Sequence, residues 1–349
     1  RPSASADRSA SKKRGMPTGE IRITGLDGSA DRIDITNQSR IAIKNMGGQA
    51  GDLVFEADRI EIKKNTKFDL KSSGAQGPSF IVNAKSFKTE DSDVECLTTG
   101  REGVGGGIEI NADEVELSGY LRTRSGDNNI TESWTGNAET HSMRMAARGG
   151  DISLTSKSVV IRKTTIPRSD PTGWSTTNGM ESSLSTIATS AGNAGDITVN
   201  ADKLELIGGA LRGGLNDSII TRTHSSIYSW TKIRPHGGLK VKAGQGGDIT
   251  INCKTVKMVD ASIKSISNGS GDLGDVIMTG ETLEIIGVND QHSMHPSGVV
   301  AYGPHISNRV VSDWASSDWE HEDALNGDLL LTFKEIDMHK AGIVADSMG

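Results

Sequence analysis

Aromatic residues are scarce in this chain: five tryptophans, three tyrosines and five phenylalanines make up 4% of 349 residues. With a hydrophobic fraction of 34%, there is too little ring volume for a thick globular core. The regular supply of Val, Ile and Leu argues equally against disorder. Cysteine is nearly missing. Cys96 and Cys253 are the only two, which excludes a disulfide-rich scaffold and any cysteine-only zinc site. No stretch approaches the roughly 18 to 20 apolar residues needed to span a bilayer, so no membrane span is expected, and no hydrophobic signal core opens the sequence. Basic charge is not in excess either. The net charge is −7 and no basic groove is evident, so nucleic acid is not the expected partner.

What the chain does have is glycine, 42 residues against 8 prolines, and a repeat. A Gly followed by an alternating apolar strand recurs as Gly19-Glu-Ile-Arg-Ile23, Gly51-Asp-Leu-Val-Phe55, Gly77-Pro-Ser-Phe-Ile-Val82, Gly106-Gly-Ile-Glu-Ile110 and Gly150-Asp-Ile-Ser-Leu154. It returns as Gly195-Asp-Ile-Thr-Val199, Gly247-Asp-Ile-Thr-Ile251, Gly274-Asp-Val-Ile-Met278 and Gly327-Asp-Leu-Leu-Leu331. Alternation with period two is the mark of a strand with one buried face, and it excludes an amphipathic helix. After each copy comes a small residue for a corner: Ala57, Ala84, Ala112, Ser156, Ala201, Cys253 and Gly280. Three residues on comes a second apolar pair, such as Ile60/Ile62, Val115/Leu117, Val159/Ile161, Leu204/Leu206, Val256/Met258, Leu283/Ile285 and Ile336/Met338. A third strand is expected from Phe68, Leu121, Leu211, Ile263 and Ile343.

Three strands per unit describe one coil of a triangular solenoid. The expected fold is all-β: a right-handed parallel β-helix of about nine three-sided coils over 19–349, preceded by a flexible arm at 1–18. No coil buries its apolar residues alone. Stacked at about 4.8 Å, each residue sits over its counterpart, and nine coils form a rod roughly 40 Å long. Successive starts are 32, 26, 29, 44, 45, 52, 27 and 53 residues apart. The extra length is assigned to insertions after the third strand, near 124–148, 163–194, 222–245 and 287–325, sharing one side of the rod.

The segments Gly192-Asn-Ala-Gly-Asp-Ile-Thr-Val-Asn-Ala-Asp-Lys-Leu-Glu-Leu206 and Gly244-Gln-Gly-Gly-Asp-Ile-Thr-Ile-Asn252 resemble repeats of filamentous-haemagglutinin-like exoproteins, the large adhesins of two-partner secretion. The resemblance covers most of residues 51–286. It implies an extracellular or cell-surface β-helix serving adhesion or surface architecture, and it specifies fold more strongly than function. The long, Trp-bearing insertions depart from the simple repeats.

Trp134, Trp174, Trp230, Trp314 and Trp319, with Tyr228 and Tyr302, all fall in the assigned insertions. They form either a contact surface for a partner chain or glycan, or small cores holding long loops to the rod. His292, His295, His305 and His321 share the last insertion with Asp313, Asp318, Glu320, Glu322 and Asp323. That spacing fits no metal signature, and a solvated acidic loop is expected. Asp52, Asp151, Asp196, Asp248, Asp275 and Asp328 follow the coil-start glycines. Calcium between coils is the one cofactor to weigh there, against simple Gly-Asp turn chemistry, which is preferred. Cys96 and Cys253, four coils apart and so about 19 Å, are expected to be free and buried.

Neither end shows a capping helix. The final coil is still apolar at Gly342-Ile-Val-Ala345, and the arm carries Arg1, Arg8, Lys12, Lys13 and Arg14 against Asp7 alone. The expected role is therefore structural, with copies stacking end to end into a homopolymer and the arm reaching onto a neighbour; the alternative reading of uncapped ends is a fragment of a longer chain whose caps lie outside it. The competing expectation is an adhesin that binds a glycan or another surface protein through the tryptophan ridge. A polysaccharide lyase or hydrolase comes third, because it needs carboxylates and arginines converging on outward positions of the second strand.

Overall fold

The computed structural model describes residues 19–24, 30–45, 47–63, 66–74, 76–99, 103–126, 148–162, 182–188, 192–210, 222–223, 225–232, 244–268, 272–287, 304–310 and 327–347. Among them there is no helix. Strands are numbered in chain order. The first parallel sheet holds β1 (Ile21–Ile23), β2 (Ala30–Ile35), β4 (Leu53–Lys63), β6 (Phe80–Glu90), β8 (Ile108–Leu117), β10 (Ile152–Arg162), β12 (Ile197–Ile207), β16 (Ile249–Val259), β18 (Val276–Thr279), β19 (Thr282–Ile286), β21 (Leu329–Thr332) and β22 (Glu335–His339). The second holds β3 (Arg40–Asn45), β5 (Lys67–Ser72), β7 (Asp93–Thr98), β9 (Tyr120–Ser125), β11 (Ser182–Ala188), β15 (Ser225–Lys232), β17 (Ala261–Asn268), β20 (His305–Val310) and β23 (Gly342–Ser347). A short antiparallel pair, β13 (Gly209–Ala210) with β14 (Arg222–Thr223), stands apart.

In both sheets each strand pairs, parallel, with the strand one repeat away, which is the connectivity of a parallel β-solenoid. The long strands of the first sheet bend. In β4, Leu53, Phe55 and Ala57 point inward, then two exposed residues, Asp58 and Arg59, precede inward Ile60 and Ile62. That extra residue shifts the alternation by one and marks a corner. It recurs at β16, whose first half pairs with β18 and whose second half pairs with β19.

Inward residues stack into columns. The column Leu53, Phe80, Ile108, Ile152, Ile197, Ile249 and Val276 is fully buried throughout. At about 25 cal/mol per Å² such columns supply the main driving force. Phe55, Phe68, Phe80 and Phe87 gather in one segment of the core, with ring centroids 5.5–6.3 Å apart. The narrow core thus takes rings after all, in one place, where four adjacent inward positions accommodate them together.

The coil-start glycines are needed for close approach. A Cβ on Gly150 would lie 2.0 Å from the Gly106 carbonyl oxygen, and one on Gly247 would lie 1.8 Å from that of Gly195. Hydroxyls from the second sheet complete this corner. Behind the apolar column through Ile41, Phe68 and Val94 runs an inward column that includes Cys96, Thr123, Thr186, Ser229, Ser265 and Asn308. The Thr123 hydroxyl donates to the Gly150 carbonyl, the Gly247 N–H donates to Ser229 Oγ at 2.8 Å, and Asn308 Nδ2 donates to the Gly274 carbonyl at 3.2 Å.

The insertion boundaries need correction. The segments 163–194, 222–245 and 287–325 each contain a coil strand, β11, β15 and β20 respectively. Extra chain therefore precedes β11, lies on both sides of β15 and β20, and follows the third strand alone only at β9. Leu211 lies outside the described residues, and the third strand of its coil is β15, entered through Ile227. These strands escape a periodicity reading because a Ser, Thr or Asn follows the inward Leu184, Ile227 or Ile306 at the next inward position and breaks the apolar alternation.

Candidate functional site: a polar outer face and two open ends

Tyr228 and Trp230 are coil residues, not insertion residues: both lie in β15, between β11 and β17, and both point outward. They join an outward cluster on the second sheet. The Arg122 guanidinium lies 4.4 Å from the Tyr120 ring centroid, and it reaches Ser185 Oγ at 3.3 Å and the Tyr228 hydroxyl at 3.5 Å. The Lys264 ammonium sits 5.7 Å from the Tyr228 ring centroid, and Arg124 pairs with Glu95 at 3.4 Å. Burial pushes the Asp93 carboxyl up from its ordinary pKa, and it raises the Tyr120 phenol too. One Asp93 oxygen and the Ser183 and Ser226 hydroxyls are buried without a hydrogen-bond partner among the described residues. The cluster groups rings with cations, but Asp93, Ser183, Ser185, Ser226 and Tyr228 are buried, which leaves the half-buried Tyr120, Arg122, Trp230 and Lys264 as its accessible part.

The outward positions of the second strand are different. Here acids and bases sit side by side and neutralise one another, across rungs in Lys88–Glu116 at 3.2 Å and Lys257–Glu284 at 2.7 Å, and along one strand in Lys203–Glu205 at 2.9 Å. Glu61, 2% exposed, is gripped by Lys63 and Arg59, with Arg32 at 3.4 Å. The hydrogen bond from Lys63 leads in holding its pKa down at about 2, against a contrary push from burial. Charges paired in this way zip rungs together.

The coil-start aspartates also join rungs, and not in the way a simple turn would. The N–H of Asp196 donates to Asp151 Oδ1 at 2.9 Å, that of Asp248 to Asp196 Oδ1 at 2.9 Å, that of Asp275 to Asp248 Oδ1 at 2.8 Å and that of Asp328 to Asp275 Oδ1 at 2.7 Å. Ser79 N–H likewise donates to Asp52 Oδ1 at 2.9 Å. Each carboxylate accepts from the next rung's backbone, and Arg148 bridges Asp151 and Asp196. Burial foremost, with help from the flanking aspartates, raises the Asp196 pKa. Among the described residues no group of three His, Cys, Asp or Glu side chains is arranged to hold a metal ion.

The ends of the two sheets leave apolar columns open. Leu330, Ile336, Met338 and Ile343 on β21, β22 and β23 are 53, 44, 37 and 42% exposed. At the other end Ile21 is exposed, while Ile23, Ile33, Ile35 and Ile41 are only half-buried. All but Leu330 occupy columns whose interior members are fully buried.

Trp134, Trp174, Trp314, Trp319 and Tyr302 lie outside the described residues, as do His292, His295 and His321 and the arm residues Arg1, Arg8, Lys12, Lys13 and Arg14. His305 is in β20, level with Ser262 and Gly342. Cys96 and Cys253 are free and buried, with burial raising both thiols, Cys253 to about 12. No helix among the described residues is long and apolar enough to cross a membrane. No family model, no curated protein and no solved structure matches this chain.

Proposed function

We propose that this chain is an extracellular structural β-solenoid that assembles end to end into a surface fibre or sheath. On this reading it is a right-handed, three-sided helix of nine coils, since crossovers between parallel strands are right-handed in nearly all cases. The likeness of its Gly-Asp-Ile-Thr segments to filamentous-haemagglutinin-like repeats carries the surface location. The role is mechanical, and it requires no cofactor or catalytic group.

The observation that carries the proposal is the exposure of column residues on the first and last described rungs, Ile21, Ile336, Met338 and Ile343. A β-solenoid whose terminal rungs expose strand edges and core side chains is a template for more rungs. Covering an end of about 400 Å² offers on the order of 10 kcal/mol gross, before association entropy. Sedimentation velocity across roughly 1 to 100 μM tests it. The expected result is a weight-average coefficient that climbs with concentration; a constant monomer value would overturn the reading.

A second reading, adhesion to an acidic glycan, is favoured by the outer cluster of Tyr120, Arg122, Tyr228 and Trp230. Arg122→Ala would abolish such binding and leave sedimentation unchanged.

A further inference from the structure

We infer that two copies of this chain join head to tail in one register, the β21–β23 end of one against the β1–β3 end of the next. This rests on the self-assembly reading and specifies its joint. The register follows from columns traced strand by strand. The column through Leu53 ends at Ile21 and Leu329, and that through Phe55 ends at Ile23 and Leu331. The column through Ile60 ends at Ile33 and Ile336, and that through Ile62 ends at Ile35 and Met338. In the second sheet, Ile41 and Ile343 end one column, and Ile43 and Ala345 end another. All six columns are apolar at both ends. Laying one end on the other continues each of them, and Ala345, the smallest member, falls over Ile43, which is already buried.

Backbone chemistry specifies the same match. In rung after rung, the first inward residue donates its N–H to the carbonyl preceding the next rung's strand: Ile21 to Asp52 at 2.8 Å, Ile197 to Asp248 at 2.8 Å and Val276 to Asp328 at 2.8 Å. Leu329 is the next donor in that series, and Glu20 of a second copy occupies the acceptor position. The aspartate ladder extends likewise, because Asp328 is placed to accept from the Glu20 N–H as Asp275 accepts from Asp328.

The outer charges discriminate as well. Arg32 and Glu335 terminate a single column, running Arg32, Arg59, Ser86, Glu114, Ser158, Lys203, Thr255, Thr282, Glu335. The joint therefore sets a cation over an anion as cross-strand neighbours. Asp34 meets Asp337 in the adjoining column, and Arg32, bound to Asp34 at 2.7 Å, screens that repulsion. A two-fold pairing of like ends continues no column in parallel, and it stops at dimers.

The test uses two full-length variants, each blocked at one end: Ile336→Lys and Ile33→Lys. Both positions lie on terminal rungs, and an unchanged circular dichroism spectrum and melting curve confirm each fold. The expected result is that each variant alone sediments as a monomer and an equimolar mixture yields a single 1:1 dimer. Arg32→Glu or Glu335→Arg should weaken association of the otherwise native chain about tenfold, and the double variant should restore it. Wild-type assembly that persists in both lysine variants overturns the joint and leaves self-assembly standing. A dimer of Ile33→Lys alone overturns it in favour of like-end pairing. A wild-type chain that never assembles sinks both.

Discussion

Replacing Gly195 by alanine tests the rung geometry most sharply. The added Cβ would sit 2.0 Å from the Gly150 carbonyl oxygen and 2.4 Å from its carbon, both backbone atoms that cannot rotate aside. Relief requires the two rungs to separate by more than about 1 Å at that corner. Three bonds cross the corner there: Gly149 N–H to the Asn193 carbonyl at 2.8 Å, Ile152 N–H to the Asp196 carbonyl at 2.8 Å and Asp196 N–H to Asp151 Oδ1 at 2.9 Å. Such a displacement carries all three beyond hydrogen-bonding distance. At about 0.5 to 1.5 kcal/mol each, Gly195→Ala should cost roughly 2 to 4 kcal/mol. Gly342→Ala is the control: its added Cβ meets nothing nearer than 3.9 Å, so it should be neutral or stabilise by about 0.4 to 1 kcal/mol through the unfolded chain. Urea unfolding gives the midpoints, and hydrogen exchange at the Ile152 and Asp196 amides localises the damage. A Gly195→Ala midpoint equal to wild type, with unchanged exchange, would refute the close-approach argument.

Leu204→Ala, which removes a fully buried column member, should lower stability by about 2 to 5 kcal/mol in the same assay. Glu61 has its pKa lowered to about 2, so its ionised form stabilises the fold above the ordinary carboxylate range and loses that effect as pH falls towards 2. Glu61→Gln should therefore cost about 1 to 2 kcal/mol at pH 7, with the difference from wild type shrinking below the ordinary carboxylate range and disappearing only as pH falls through about 2. Asp93 behaves oppositely, because burial raises its pKa and ionisation costs stability as pH rises. Asp93→Asn should raise the pH 7 midpoint and change little at pH 3; a lower midpoint at pH 7 would contradict that sign. Neither cysteine should react with a disulfide reagent in the native state, since both thiols are buried with raised pKa values, and both should react once urea unfolds the chain.

The sequence displays the first sheet well because its inward pairs, such as Ile197/Val199 and Leu204/Leu206, are apolar at period two and follow a glycine that the stacking itself demands. The second sheet is harder to read. In β11 the inward residues are Leu184, Thr186 and Ala188, and in β15 they are Ile227, Ser229 and Thr231, so hydroxyls that serve the glycine corner break the hydrophobic period. A search for an aliphatic residue followed at two-residue steps by Ser, Thr or Cys would have found these strands through Val94-Cys96-Thr98 and Leu121-Thr123-Ser125. Phe87 was hidden for a similar reason, as its partner two positions on is Thr89. Tyr228 and Trp230 read as loop residues in the sequence because Ser225, Ser229 and Thr231 of β15 break the apolar period around them. The aspartate ladder is beyond any local reading, because its donor belongs to a rung 27 to 53 residues away.

Electron cryomicroscopy of the concentrated native protein tests the central claim most directly. The account predicts filaments whose parallel rungs stay about 4.8 Å apart straight through each joint, with a subunit repeat of roughly 43 Å for nine rungs. Isolated short particles, or filaments in which rung spacing or strand direction breaks at the subunit boundary, would contradict it.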